Sequence, residues 1–543
     1  MKKFSILNYS PIFLGSLYLL AIFIRAPELF LAPRFWAEAG VIYFLQARDL
    51  PFLNALLAMP LGYLSLPANL AGIVSAALPL TYAPYGDLAI SLLTQLSLFW
   101  VVVANGYFDG DRLKQGVILL IPILVIQSAE TWLNSINSQF WLALVAAFVL
   151  AAPNKPVNAY QHIINAVTLV LAGLSGAVAM LLTPLFLLRA LIERRTVWLA
   201  YALPLAAGAL IMLANPSGHG RHLSFPLDLF AISGFFHLLL NNLCIYCAIR
   251  LFPQGAIVES AAFVAASLLM LSLAYGFIFA LASKTGRWLA IASAWLAVAS
   301  FLGMLGKEYI LSWPPFFNSR YFFAPAALLF CALLFVPPAR ARSIRLARIL
   351  LFAAFTLNGI LFGIRHPVVG QWDGEKWRES VQAYARGQNG IVYFAYPLCG
   401  FAPQAKVHPP STIEIQAVTG REIVFKAPKL AMVENPRLFL YRARKTEHSL
   451  GQWEHYENGW RETLLFLFGA PHLGLCYGGD EPKSSALVKS DTHSLIIDRE
   501  LLGKTDGYEF LVGYGENFAS MLANGAFIRI DLAEATREFG EGR

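Results

Sequence analysis

The sequence predicts a polytopic α-helical membrane protein of about 11 transmembrane helices, closed by a C-terminal β-rich extracytoplasmic domain. Three observations carry that reading. Of 543 residues, 57% are hydrophobic and 14% charged, with mean hydropathy +0.57, a balance typical of lipid-embedded chains. Residues 1–364 hold 11 Asp/Glu and residues 365–543 hold 22, so acids are scarce where lipid would make them costly. Long apolar runs fill the first region, while the second breaks into short β-prone runs.

The pI near 9.1 raises nucleic acid as a partner, and the charge map argues against it. Residues 1–364 carry net +10 and residues 365–543 net −2. The excess therefore lies in the membrane region, where positive charge marks cytoplasmic loops. No compact basic domain with interleaved aromatic residues is present.

A span needs about 20 apolar residues, fewer when a helix is short or re-entrant. Spans are expected near 11–25, 86–105, 115–129, 139–152, 162–175, 176–190, 196–214, 260–282, 287–305, 320–336 and 346–364. Met1-Lys2-Lys3 precedes the first, and no small-residue cleavage site comes before Arg25. The expectation is an uncleaved helix with its N-terminus in the cytoplasm. The pair around Ser175-Gly176 is short and reads as a hairpin. Lys2/Lys3, Arg112/Lys114, Lys155, Arg189/Arg194/Arg195, Lys284/Arg287 and Arg340/Arg342/Arg345/Arg348 then share the cytoplasmic side. Residues 26–85 and 215–259 become long external loops with helices along the membrane surface. Domain 1–364 is thus the membrane domain, and residues 365–543 lie outside. Their β-prone runs fall at 391–394, 413–415, 423–425, 438–441, 495–497 and 527–530, punctuated by Gly, Pro, Asn and Asp. Cys399 and Cys476 are the only cysteines there, and an oxidising compartment would join them in a disulfide. Cys244-Ile245-Tyr246-Cys247 has redox spacing without a thioredoxin-like context, and Cys331 reads as packing.

The expected external loops gather the polar residues. The first offers Glu28, Arg34, Glu38, Arg48 and Asp49, and the second Glu130, Asn134 and Asn137. The third offers His219, Arg221 and His222, and the fourth Lys307, Glu308, Arg320 and Tyr321. His219 and His222 lack a sure carboxylate partner for zinc and read as a polar loop. Trp372, Trp377, Trp453 and Trp460 read either as a sugar-stacking surface or as β-domain core. No Gly-rich phosphate loop or Ser/His/Asp order stands out.

The order of an acidic first loop, Gly62-Tyr63-Leu64, an Asn-rich loop before Trp141, Leu174-Ser175-Gly176 and Arg320-Tyr321-Phe322 resembles the GT-C superfamily of integral-membrane glycosyltransferases, over roughly residues 10–365. The resemblance implies transfer of a sugar from a polyprenyl-phosphate donor to a glycan, lipid or protein acceptor, at the outer face of a bacterial inner membrane. Glu38 is the candidate catalytic base. The superfamily often has a second acid at this place, where this chain has Ala39, so a divalent cation is an open cofactor. Arg320 suits a lipid phosphate, because a guanidinium binds it in bidentate fashion. Arg34, Arg221 and Tyr321 join it as candidate substrate contacts. Glu130, Asn134 and Asn137 would hold sugar hydroxyls or a metal, or else cap short helices. Two other readings stay open: a transporter or flippase of lipid-linked sugars, and a non-enzymatic cell-envelope assembly protein.

Overall fold

The computed structural model describes residues 11–108, 111–153, 158–214, 238, 241–243, 283–305, 319–336, 342–365, 368 and 373–386, with twelve strands beyond them. Arg221, His219, His222, Lys307, Glu308, Cys244, Cys247, Trp372 and the expected span 260–282 lie outside the described residues. So does most of the expected loop 215–259. The chain forms two units. The first comprises Met1–Pro33, Leu53–Val74 and Tyr85–Gln371; the second comprises Arg34–Phe52, Ser75–Pro84 and Trp372–Arg543.

In chain order the α-helices are α1 (Pro11–Arg25), α2 (Pro27–Leu31), α3 (Leu45–Asp49), α4 (Phe52–Leu56), α5 (Leu66–Ala77), α6 (Pro84–Ala104), α7 (Arg112–Leu124), α8 (Ser128–Thr131) and α9 (Ser138–Ala151). Then come α10 (Ala159–Gly173), α11 (Ala177–Met180), α12 (Thr183–Glu193), α13 (Thr196–Ala214), α14 (Asn241–Leu243), α15 (Lys284–Leu305), α16 (Phe323–Leu334), α17 (Arg342–Arg365) and α18 (Asp373–Ala385). The expected spans on described residues are helical, with two differences. The span expected over 115–129 stops at Leu124, just after Pro122 removes a helical donor. The span over 176–190 is split into α11 and α12. Residues 26–85, expected as a loop with surface helices, hold α2 to α5 and a π-helical turn at Ala39–Phe44. Leu80–Ala104 and Thr196–Ala214 are the two described helices long and apolar enough to cross a membrane; five other apolar helices have 10–17 residues.

The first unit is a helical bundle built around α9. Its sequence is apolar on all sides, so it has no solvent face to offer, and almost every residue from Ser138 to Ala151 is buried. α10, α11, α15 and α16 pack on it. Asp111 caps α7 by accepting from the Lys114 amide (3.1 Å), and Asn158 caps α10 by accepting from the Gln161 amide (2.9 Å). α10 and α13 touch backbone to backbone: a Cβ on Gly173 would strike the Pro204 carbonyl, and one on Gly208 would strike the Gly173 carbonyl.

Contacts sort the helix ends into two groups. At one, the Tyr107 hydroxyl donates to the Phe148 carbonyl (2.5 Å) and Gln161 Nε2 to the Ala104 carbonyl (2.6 Å). Arg189 donates to the Leu150 and Ala152 carbonyls that end α9. Glu193 pairs with Arg189 (2.7 Å) and with Lys284 (3.1 Å). Burial pushes the Glu193 carboxyl upward, but the hydrogen bonds and charges of Arg189 and Lys284 leave it below the usual range. The opposite ends meet around Arg25, Asp87, Ser128–Asn137, Ser175 and Arg320.

The surface of this bundle carries exposed apolar side chains, and its largely apolar core also encloses several polar ones. Ile12 is 79% exposed, Leu213 75% and Ile364 74%, while Asn105, Gln115, Asn165 and Arg189 are buried. Asn105 and Asn165 satisfy each other reciprocally, at 2.8 and 3.0 Å.

In the second unit, buried Trp377 on α18 stands edge-on to Phe35 (5.1 Å between ring centroids) and Phe44 (6.2 Å). Its Nε1 donates to the Leu80 carbonyl (3.2 Å). Trp377 is therefore core, not the sugar-stacking surface that was one of its two sequence readings. The strands are β1 (Val392–Phe394), β2 (Leu398–Phe401), β3 (Glu414–Val418), β4 (Glu422–Lys426), β5 (Arg437–Arg444), β6 (Leu450–Glu457), β7 (Trp460–Leu467), β8 (Leu475–Tyr477), β9 (Lys489–Ser490), β10 (Ser494–Asp498), β11 (Tyr508–Gly515) and β12 (Phe527–Asp531). They form an eight-stranded sheet in the order β1-β2-β8-β7-β6-β5-β11-β12 and a four-stranded sheet in the order β3-β4-β10-β9, with antiparallel pairing throughout.

Candidate functional site

Within the first unit, the polar residues expected in separate loops come together at one end of the bundle. Glu130 sits on α8 and Arg320 on a short 3₁₀ turn, Ser319–Phe322, that leads into α16. Arg320 Nη1 pairs with Glu130 Oε1, and the Arg320 amide donates to Glu130 Oε2 (3.2 Å). Both carboxylate oxygens are thereby engaged, and the two side chains are only 11% and 27% exposed. The Arg320 guanidinium lies 5.4 Å from the Tyr321 ring centroid, and that ring meets Phe140 edge-on at 5.4 Å.

The loop after α8 is tied to Glu130 by its own amides. Asn134 and Asn137 each donate from Nδ2 to the Glu130 carbonyl, at 3.0 and 2.9 Å. Asn134 Oδ1 accepts from the Asn137 amide (3.1 Å), capping the 3₁₀ turn Ser135–Asn137. Both asparagines are buried, so the helix-capping alternative describes Asn134, and the amide of Asn137 braces the loop. Leu133 takes a left-handed φ of 46° to allow the fold-back, a costly conformation for a Cβ-bearing residue.

Sequence reasoning did not single out two charged residues as part of this cluster. Asp87, at the first turn of α6, accepts from the amide (3.4 Å) and hydroxyl of Ser135 and is buried. Arg25, the last residue of α1, is also buried; it donates from Nη1 to the Ile123 carbonyl, and its guanidinium lies 4.7 Å from the Trp132 ring centroid. Its Nε and Nη2 have no acceptor among the described residues. A signal was present in both cases: each is a charged residue at the end of an expected span, outside the basic clusters.

Two segments that carried the family resemblance also meet here. Ser65, just after Gly62-Tyr63-Leu64, forms a β-bridge with Ser175, and the Leu66 amide donates to the Leu174 carbonyl (2.7 Å). Gly176 has φ 109°, a region that favours glycine, and a Cβ there would strike the Gln139 side chain.

Arg34 and Glu38 belong to the second unit. Arg34 is buried, with its guanidinium 5.4 Å from the Trp36 ring centroid. Burial raises the Asp373 carboxyl above its usual range, against the pull of Lys376 and Arg34. Ala37 has φ 47°, and Glu38 then opens the π-helical turn Ala39–Phe44. Left-handed non-glycine residues and π-turns both concentrate at functional sites. The Glu38 side chain is half-buried, and among the described residues it makes no hydrogen bond or ion pair. It is not paired with Arg34.

Among the described residues no three His, Cys, Asp or Glu side chains gather as metal ligands. Glu130 is held by Arg320, and Asp87 Oδ1 accepts from Ser135. No family of known proteins, curated protein or solved structure matches the chain.

Proposed function

We propose that the protein is a membrane glycosyltransferase that moves a sugar from a polyprenyl-phosphate donor to a glycan, lipid or protein acceptor. The observation that carries this reading is the charged cluster of Glu130, Arg320, Asp87 and Arg25 at one end of a bundle whose outer surface is apolar. Large exposed apolar side chains on the outside, with ionised side chains held among partners inside, suit lipid. In this reading about 11 helices cross a bacterial inner membrane. The Arg189–Glu193–Lys284 end faces the cytoplasm, by the rule that basic clusters stay inside, and the Arg320 end faces out.

The chemistry follows from residue types. Arg25 brings a buried guanidinium with two unused donor atoms, and such a group wants an anion. A lipid phosphate supplies one, and Arg320 adds a second guanidinium at the same end of the bundle. Glu38 is the base. Its carboxylate takes the proton of the acceptor hydroxyl while that oxygen bonds to the anomeric carbon. The bond from that carbon to the phosphate oxygen breaks, and polyprenyl phosphate departs with the electron pair. A positioned base of this kind contributes on the order of 10²–10⁴-fold in rate.

The interruption at Leu174–Gly176 favours a second reading, a flippase of lipid-linked sugars, because transporters place their sites on broken helices. Purified protein in liposomes with a labelled polyprenyl-phosphate sugar separates the two. Label appearing on an added acceptor supports transfer; label changing leaflet with no acceptor product supports the flippase and sinks the transferase.

A further inference from the structure

β2 and β8 are joined by three residue pairs: Leu398 with Tyr477, Cys399 with Cys476 and Gly400 with Leu475. The two cysteines of the C-terminal region therefore oppose each other at the centre of that ladder, although β3 to β7 separate them in sequence. Opposed residues on antiparallel strands have Cα atoms about 4.5–5.5 Å apart, and a disulfide accepts about 4.4–6.8 Å. Opposed positions also share one face of a sheet. The register thus satisfies the backbone requirement without any strand shifting. The position has a use: β1 and β2 form one edge of the eight-stranded sheet, and the short ladder to β8 joins them to it.

We propose that Cys399 and Cys476 form a disulfide that staples the β1–β2 edge to β8, made by thiol–disulfide exchange outside the reducing cytoplasm. Each thiol gives up its proton, and two electrons pass to a disulfide-bearing oxidant, which leaves as its dithiol while the new S–S bond forms. Cys331 is fully buried in the helical unit and does not compete. The bond holds whether or not the transferase reading does.

The test uses full-length protein in its own membranes. Thiols are blocked with N-ethylmaleimide under denaturing conditions, and the protein is digested without reductant for mass spectrometry. The expected result is a linked peptide pair containing Cys399 and Cys476 that separates on reduction with the gain of two hydrogens. In Cys399→Ser, Cys476 should take up the maleimide without reduction. Maleimide on both Cys399 and Cys476 of the unreduced wild type overturns the proposal, as does linkage of either one to a different cysteine.

Discussion

Two carboxylates illustrate how partners decide what a residue can do. Glu130 has both oxygens engaged by Arg320, whereas Glu38 follows a left-handed Ala37 with no partner among the described residues. Glu38→Gln keeps the shape and removes the proton acceptor, and transfer should fall by about 10²–10⁴-fold with insertion unchanged. Steady-state rates and detergent-solubilised yield check both halves. Glu130→Ala should act differently, lowering stability by leaving the Arg320 charge uncompensated. About 3–5 kcal/mol is the scale for breaking a buried pair, and the 27% exposure of Arg320 places this one toward the low end. Thermal unfolding of Glu130→Ala, Arg320→Ala and the double variant should show strong coupling, the double losing much less than the sum of the two singles. Asp373 gives a pH signature. Its native carboxyl is raised by burial, so the folded state binds the proton more tightly than the unfolded one. Its contribution to stability is present below the ordinary aspartate range and is lost as pH rises through the raised native value. Asp373→Asn should flatten the Tm profile across that window; an unchanged slope contradicts the assignment.

At the scale of elements, α10 and α13 depend on Gly173 and Gly208 for backbone contact, as helices in lipid commonly do at small residues. Gly208→Leu should cost about 1–3 kcal/mol or more through overpacking, read as a fall in Tm, while Leu203→Ala on the exposed face of α13 should change little. Apolar runs made the helices legible in the sequence, since α1, α9 and α13 begin and end within a residue of the expected spans. The break between α11 and α12 had a signal in Thr183-Pro184, whose proline falls in the first turn of α12, but the span expected over 176–190 ran through it. The strands separated in the same way. β1, β3, β4, β5, β10 and β12 carry dense β-branched or aromatic runs, and all six were expected. β6 and β7 carry charges at Glu454, His455, Glu457, Arg461 and Glu462 that mask alternation, although Asn458-Gly459 between them is a strong hairpin signal. α18 was missed because Trp377 and Val381 are its only buried apolar side chains, too few for an apolar run, although its acidic first turn is a helix-start signal.

For the molecule as a whole, the segregation of charge says most about function. Arg189, Glu193 and Lys284 meet at one set of helix ends, and Arg25, Asp87, Glu130 and Arg320 at the other. The sequence offered Glu130 and Arg320 in two separate segments, but their pairing spans 190 positions and no local pattern encodes it. The position of Arg25 at the end of α1 was visible in the sequence, but its contacts with Ile123 and Trp132 were not. If the Arg320 end faces away from the cytoplasm, a cysteine placed at Ser319 should react with a membrane-impermeant maleimide in intact cells, and one placed at Lys284 should react only after permeabilisation. The most direct measurement is transfer of radiolabelled sugar from polyprenyl-phosphate donors to membrane acceptors, with wild type and Glu38→Gln compared at equal amounts of inserted protein. Transfer by wild type that collapses in Glu38→Gln is the expected result. Equal transfer by both proteins contradicts the assignment of Glu38 as base, and no transfer by wild type across the donors contradicts the transferase reading itself.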